Sequence, residues 1–191
     1  MAECSEDFPD TQDEFDYLLF SIRRSIRYHR ARMRYYDTVS KLFTITSVIS
    51  GTAVFASVLA KASQEITLIT SAIVALSQAC ELVLSPSKEA RLHSDLARRF
   101  ISLEQQALLL EFDLNDRKVA DLTNGRLDIE MDEPPTLKWL SLKIHNELEK
   151  SEHGDHAPPP YRINPLQKLL IQFGDFFDVA NAKRYKSGPF Q

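Results

Sequence analysis

A row of side chains on one face of an apolar run is the first candidate for chemistry in this chain. The run covers residues 66–84, ITLITSAIVALSQACELVL. Its polar members recur at the steps that place side chains on one face of an α-helix, and Val74 fills the one gap. We call this face the polar stripe: Thr67, Thr70, Ser71, Val74, Ser77, Gln78 and Glu81.

Two interpretations of the polar stripe are open. In lipid such a stripe must turn to other helices or to water, so it would line a pore in which Glu81 forms a ring favouring cations. Alternatively, the hydroxyls bond their own backbone, and Gln78 and Glu81 lie in the headgroup layer. Small residues at four-residue spacing predict self-association in lipid. They are Ser47 and Gly51 in an earlier apolar run, residues 42–60, and Ser71, Ala75 and Ala79 in this one.

A second candidate is a row of arginines that precedes both apolar runs. Arg23, Arg27, Arg30 and Arg34 follow one another at steps of four and three and share one helix face, which we call the basic face. Their charges would meet anionic lipid headgroups. The other interpretation is a docking face for a nucleotide or another phosphate-bearing ligand.

No catalytic constellation can be drawn from the remaining residues. The five glycines are scattered, so no Gly-rich phosphate loop is present. His29 and His93 lie among apolar residues, as packed core histidines or as a pH-responsive interface. His153 and His156 lie next to Gly and Pro, which favours a solvated loop over a metal site. We expect no catalytic residue, no metal and no cofactor, and we expect Cys80 to be a small buried apolar residue.

The polar stripe belongs to the second of two apolar runs that are long enough to cross a bilayer. The first run, residues 42–60, carries no charge between Lys41 and Lys61. At about 1.5 Å per residue, each run roughly matches a hydrocarbon core of about 30 Å. Only residues 61–65 separate them, which predicts a transmembrane hairpin. The alternative is a soluble helical hairpin with an unusually apolar core.

The charges around the runs predict an orientation. Arginines and Lys41 precede the first run, and Lys88, Arg91, Arg98 and Arg99 follow the second. The linker has only Lys61 against Glu65. The positive-inside rule therefore places both termini in the cytoplasm.

Heptad-like seams flank both runs and predict that the helices continue beyond the membrane as a cytosolic stalk, so that residues 13–115 form one hairpin. The first seam contains Phe15, Leu19, Ile22, Ile26, His29, Met33 and Tyr36. The second contains His93, Leu96, Phe100, Leu103, Ala107, Leu110 and Leu114.

The rest of the chain predicts an all-α protein with polar ends. Residues 1–12 are acidic, are expected to be disordered and do not form a signal peptide. Residues 116–191 form a cytosolic tail with a turn at Asn124-Gly125, an amphipathic helix at 136–151 and a Pro-rich linker at 152–164. A last amphipathic helix, beginning at Pro165, is expected to pack back on the stalk. The net charge of -4 argues against direct DNA binding.

Several segments together resemble the SLATT family, bacterial two-transmembrane proteins found beside nucleotide-generating and nucleotide-sensing genes of conflict systems. The segments are RSIRYHRARMRYYDTVSKLF, SPSKEARLHSDLARRFISLEQQ, DIEMDEPPTLKWLSLKIHNELEK and PLQKLLIQFGDFF. They fall within residues 21–177, with ARLHSDLARRF and EPP…HNEL the most distinctive parts.

The resemblance implies an antiviral effector in the bacterial inner membrane. It would oligomerise and form a pore or disrupt the membrane when an upstream sensor detects infection, causing abortive infection. The family carries over no catalytic residue, and it leaves open whether a nucleotide-generating enzyme, its nucleotide product or a reverse transcriptase is the partner. From a different class, the chain could be a non-conducting membrane anchor that recruits a cytosolic partner. A soluble helical adaptor is the third interpretation.

Overall fold

The computed structural model describes residues 11–60 and 63–153, and these are almost entirely helical, as the all-α prediction requires. The order is α1 (Thr11–Leu59), α2 (Gln64–Leu84), α3 (Pro86–Leu110), a short 3₁₀ helix (Glu111–Asp113), α4 (Asp116–Glu130) and α5 (Lys138–His153). No strand occurs among the described residues. The acidic start and residues 154–191, which hold most of the predicted linker and the last predicted helix, lie outside this description.

The chain divides into two compact units, and the long helices contribute to both. We call Met1–Arg30 with Asp95–Gln191 the core unit, and Ala31–Ser94 the apolar unit. The core unit takes the start of α1, most of α3, and all of α4 and α5. The apolar unit takes the rest of α1, all of α2 and the start of α3.

The core unit has an ordinary hydrophobic core, built on the predicted seams. Ile22 from α1 and Phe100 from α3 are fully buried, together with residues of α4 such as Leu122. Burying one such side chain stabilises a fold by about 1.5–3 kcal/mol. The predicted seam residues that are buried here are Phe15, Ile22, Ile26, His29, Leu96, Phe100, Leu103 and Ala107.

α5 confirms the predicted amphipathic helix. Leu140, Ile144 and Leu148 on its apolar face are buried in the core unit, and so is Trp139. The backbone amide of Leu137, just before α5, donates a hydrogen bond of 2.8 Å to the hydroxyl of Tyr28 on α1. The helix runs on to His153, so Glu152 and His153 are helical rather than part of the linker.

The turn predicted at Asn124-Gly125 is wrong, because both residues lie inside α4. The dipeptide favours turns only where the chain must bend, and here tertiary packing decides otherwise. A Cβ atom at Gly125 would approach Cδ1 of Leu103 to 3.1 Å. The glycine therefore allows α4 to lie close to α3, and the cost of glycine in a helix is about 0.5–1 kcal/mol. α4 begins at Asp116, directly after Asn115. The side chain of Asn115 caps the helix by accepting a hydrogen bond from the amide of Lys118.

The two apolar runs differ in how their helices join the flanking segments. α1 runs without interruption from the core unit through the first apolar run. α2 ends at Leu84, because Ser85 adopts a left-handed conformation with φ 42° and ψ 48°. Pro86 then opens α3. Proline is favourable in a first helical turn but blocks continuation of the preceding helix.

Candidate functional site: a polar stripe on an exposed apolar helix

Two helices are long and apolar enough to cross a membrane, and their apolar side chains are exposed. Within the most apolar stretch of each, 0% and 6% of the residues are buried. A core helix of a soluble protein has the same composition but hides its apolar residues. Large exposed side chains cover the apolar unit: Leu42, Ile45, Val48, Ile49, Phe55, Val58, Ile66, Leu68, Ile69, Ile73, Leu76, Leu82, Val83 and Leu84.

The structure separates the predicted polar stripe into two parts. Ser77 is buried, and four further members are half-buried: Thr67, Thr70, Val74 and Glu81. Ser71 and Gln78 lie at the edge of the stripe and are exposed. The least exposed face of α2 is therefore its most polar face, and it lies within the apolar unit.

The hydroxyl groups of the stripe bond their own helix. Thr70 Oγ1 donates to the carbonyl of Ile66 at 2.9 Å, and Ser71 Oγ donates to the carbonyl of Thr67 at 2.7 Å. Ser77 Oγ donates to the carbonyl of Ile73 at 2.9 Å. Such bonds satisfy a hydroxyl in a water-free environment. This is the arrangement that the backbone-bonding interpretation expects for serine and threonine.

Gln78 makes the bond that joins α2 to α1. Its Nε2 donates to Oγ of Ser47 at 2.5 Å. Ser47 is half-buried, as are its neighbours on the same face of α1, Ser50, Gly51 and Val54, and Ser57 is buried. The less exposed faces of the two apolar helices therefore meet through small and hydroxyl-bearing residues, which is how helices approach closely in lipid.

The residues predicted to pack between copies fall in different places. Ser47 already accepts a hydrogen bond from Gln78 within the same chain, whereas Ala75 and Ala79 on α2 are exposed. A Cβ atom at Gly51 would meet nothing within 4 Å. The single chain therefore does not need a glycine at that position. Cys80, expected to be buried, is half-buried and has a free thiol.

Two of the four arginines of the basic face are engaged inside the core unit. Arg23 forms ion pairs with Glu104 at 2.9 Å and with Glu152 at 3.3 Å. Arg27 donates to Oγ of Ser151 at 3.0 Å. Arg30 and Arg34 are exposed. The structure thus brings the first two arginines to α3 and α5, rather than collecting all four around one ligand.

Electrostatics around Arg23 favour a structural role. Burial lowers the pKa of its guanidinium, but the hydrogen bonds and charges of Glu104 and Glu152 outweigh burial, and the pKa is raised. A surface cavity beside it is lined by Asp16, Leu19, Phe20, Arg23 and Glu152. Because the carboxylates outnumber the arginine and one is already paired with it, this cavity does not attract a phosphate.

The two histidines are packed against aromatic rings, and both are buried. His29 Nε2 lies 2.9 Å from Oε1 of Glu133, and its ring stacks on Phe100. The seam pattern could not reveal Glu133, because that residue follows α4 and reaches His29 only in the folded core unit. His93, in the apolar unit, stacks on Tyr36 with ring centroids 5.7 Å apart.

An aromatic and cationic cluster that sequence reasoning missed lies next to Tyr36. Arg32 is buried, donates to the hydroxyl of Tyr36 at 2.5 Å and lies 4.6 Å from the centre of that ring. Its guanidinium is also 5.5 Å from the ring of Tyr35. Burial raises the pKa of Tyr35, and the charge of Arg32 opposes that effect. Tyrosines at this distance from an apolar run are typical of a membrane–water interface.

Within residues 11–60 and 63–153, no cluster of His, Cys, Asp or Glu could hold a metal ion. His156, the second histidine of the candidate pair, lies outside these residues.

Comparison of the chain with protein families, with curated proteins and with solved structures gives no match in any of the three.

Proposed function

We propose that this protein is a membrane effector of a bacterial antiviral system, related to the SLATT proteins that its sequence resembles. Its two apolar helices form a transmembrane hairpin in the inner membrane, with both termini in the cytoplasm. Copies of the hairpin assemble and permeabilise or disrupt the membrane when an upstream sensor is triggered. The observation that carries the proposal is the exposure of most large apolar side chains in the apolar runs of α1 and α2.

The exposed apolar area requires a partner, and lipid is the partner that fits. Exposed apolar patches of this kind mark protein or membrane contact. In the two apolar runs the exposed apolar side chains lie on several faces rather than on one stripe, and the charges lie at or near the ends of the runs. A bilayer covers such a surface on all sides, whereas a soluble partner would cover one face.

Retention in the membrane is the first test. Expressed protein should stay in the membrane pellet after carbonate extraction, and a protease-sensitive tag at either terminus should be cleaved only from the cytoplasmic side. Release into the soluble fraction would overturn the membrane assignment and with it the effector proposal.

Ion flux is the second test, because it separates an effector from an anchor. Induced expression together with the activating system should depolarise cells, and purified protein in liposomes should release trapped potassium. In the pore hypothesis the polar stripe faces the lumen, so Gln78→Leu combined with Glu81→Ala should abolish both. Leu76→Ala, at an exposed apolar position on another side of the same helix, is the matched control. Full depolarisation by the double variant would remove the stripe from the conduction path.

One observation favours the alternative, a non-conducting anchor that recruits a partner. In the single chain the stripe lies against α1, through the Gln78–Ser47 bond and the burial of Ser77. A lumen lined by the whole stripe requires α2 to turn or to separate from α1. Membrane insertion without flux in either assay, with or without the sensor, would select the anchor.

The activating signal is expected at the cytosolic helices. α1 supplies residues to both units, so we expect a change in its packing near Arg23 to affect the span as well. The sensor or its nucleotide product is the expected source. A variant lacking residues 154–191 keeps the buried residues of α5 and is the suitable deletion. If it kills cells in the absence of any sensor as fully as the intact chain does with one, that segment has no activating role.

A further inference from the structure

Gln78 places an exposed side-chain amide well inside the second apolar helix. At about 1.5 Å per residue, it lies about 9 Å along the axis from Leu84, the last residue of α2, and about 21 Å from Gln64, the first. If α2 spans the bilayer as proposed above, this position is inside the hydrocarbon layer. Water is absent there, and an unsatisfied polar group costs several kcal/mol.

The single chain satisfies only part of this amide. A glutamine side chain offers two N–H donors and a carbonyl oxygen. One donor is used by Oγ of Ser47. Among the described residues, Gln78 has no other hydrogen-bond partner, and its side chain is exposed. One donor and the carbonyl oxygen of Gln78 are therefore left without a partner in the described part of the single chain.

The surface around Gln78 allows close approach of another helix. Ser71, Ala75 and Leu82 share its side of α2 and are exposed. Ser71 has already bonded its own backbone, so it presents a small, satisfied side chain. Gly51, on the half-buried face of α1 that also bears Ser47, has open space where a side chain would be. Small neighbours of this kind let a second backbone come within reach of the amide.

We propose that Gln78 is the contact through which two copies of this chain recognise each other in the membrane. Two identical amides complement one another across a two-fold axis, because each provides the donor that the other's oxygen accepts. Lipid tails offer neither group. The Ser47 bond orients the Gln78 side chain within its own copy and leaves the second donor and the oxygen for the partner copy.

The proposal rests on membrane insertion but not on conduction, so an anchor and a pore would both use it. The experiment measures self-association of the full chain in density-matched detergent micelles by sedimentation equilibrium. Gln78→Leu should weaken each pairwise association about 3- to 30-fold, the range expected for an interhelical polar contact in a membrane. Gln78→Asn keeps the amide and should restore most of the association.

Ser47→Ala is the matched control, because it removes the intrachain bond and leaves the amide in place. It should leave association equal to or tighter than that of the unaltered chain. Equal association of Gln78→Leu and the unaltered chain would overturn the proposal. Loss of association in Ser47→Ala as large as in Gln78→Leu would also overturn it, because the amide would then act only within one copy.

Insertion is measured separately by carbonate extraction for each variant. Gln78→Leu is more apolar than the original chain and is expected to stay in the membrane. Release of the unaltered chain would refute membrane insertion itself. Retention of the unaltered chain as a monomer at every concentration would refute only the Gln78 contact.

Discussion

The core unit and the apolar unit differ in the side chains that they bury. In the core unit the buried residues are mostly large and apolar, such as Phe15, Phe100 and Leu148, although Ser21 and His29 are buried there as well. In the apolar unit the buried residues include Ser57, Ser77 and His93, while leucine, isoleucine and valine are exposed. This difference is what the proposed membrane hairpin expects, with water around the core unit and hydrocarbon around the apolar unit. Four substitutions test this comparison, and the first three each have a matched partner.

The largest effect is expected from emptying the core of the core unit. Phe100→Ala should lower the free energy of unfolding of that unit by about 3–5 kcal/mol, since it leaves a cavity where a fully buried ring stood. Phe55→Ala, at a position 67% exposed in the apolar unit, should leave it unchanged. Trp139, the only tryptophan and buried in the core unit, reports unfolding by its fluorescence in urea. Equal losses in the two variants would contradict the comparison.

The second effect is the response of each surface to a charge. Val48→Arg, at an exposed position near the middle of the first apolar run, should oppose membrane insertion by about 2.5–3.5 kcal/mol. Leu127→Arg, at an exposed position of the core unit, should be tolerated because that surface faces water. Carbonate extraction measures the membrane-bound fraction of both. If Val48→Arg stays membrane-bound as fully as the unaltered chain, α1 does not span a bilayer at that point.

A third, smaller effect tests whether the polar face of α2 is closely packed. Ser77→Leu adds a large side chain where Ser77 is buried, and overpacking of this kind costs about 1–3 kcal/mol. Ala72→Leu makes a similar increase in volume at an exposed position and should cost little. Thermal unfolding in micelles, followed by circular dichroism, compares the two. An unfolding temperature that does not change in Ser77→Leu would mean that α2 does not pack on α1 through this face.

The smallest effect concerns pH at the aromatic cluster of the apolar unit. Burial raises the pKa of Tyr35, so the folded state favours the neutral phenol. The resulting stability is fully present below the unfolded pKa of about 10 and is lost as the pH rises through the higher folded pKa. Tyr35→Phe should therefore reduce the loss of stability at alkaline pH and change little at neutral pH. Unfolding in micelles at a series of pH values measures this, and an unchanged alkaline slope would show that Tyr35 does not contribute to it.

Much of the fold could be predicted from periodicity. The seams of α1 and α3 and the apolar face of α5 were visible in the sequence. A helix with one face in the core and the other in water repeats its apolar residues at helical spacing. The break at Ser85 was harder to predict. The residue before a proline is often a helix boundary, but some helices continue through that position. The helical Asn124-Gly125 was not predictable, because local turn preference was overridden by the close approach of Leu103.

The residues of the candidate site could be predicted, but the neighbours that they contact could not. Helical spacing shows which residues share the polar face of α2, but not whether that face packs on α1, on another copy or on solvent. Only the folded chain placed Ser77 inside, left Gln78 exposed and joined it to Ser47. The same holds for Arg23, which the sequence assigned to headgroups or a ligand and the structure pairs with Glu104 and Glu152.

The sequence by itself determined the all-α class, the length of the apolar helices and the segregation of charge to their ends, because these depend on residues near one another along the chain. The tertiary structure alone decided which polar groups are satisfied, because His29 needs Glu133, Gln78 needs Ser47 and Arg23 needs Glu104, partners far away in sequence. A hydrogen bond depends on where two atoms lie within a few tenths of an ångström. Periodicity fixes only the side of the helix on which each atom lies.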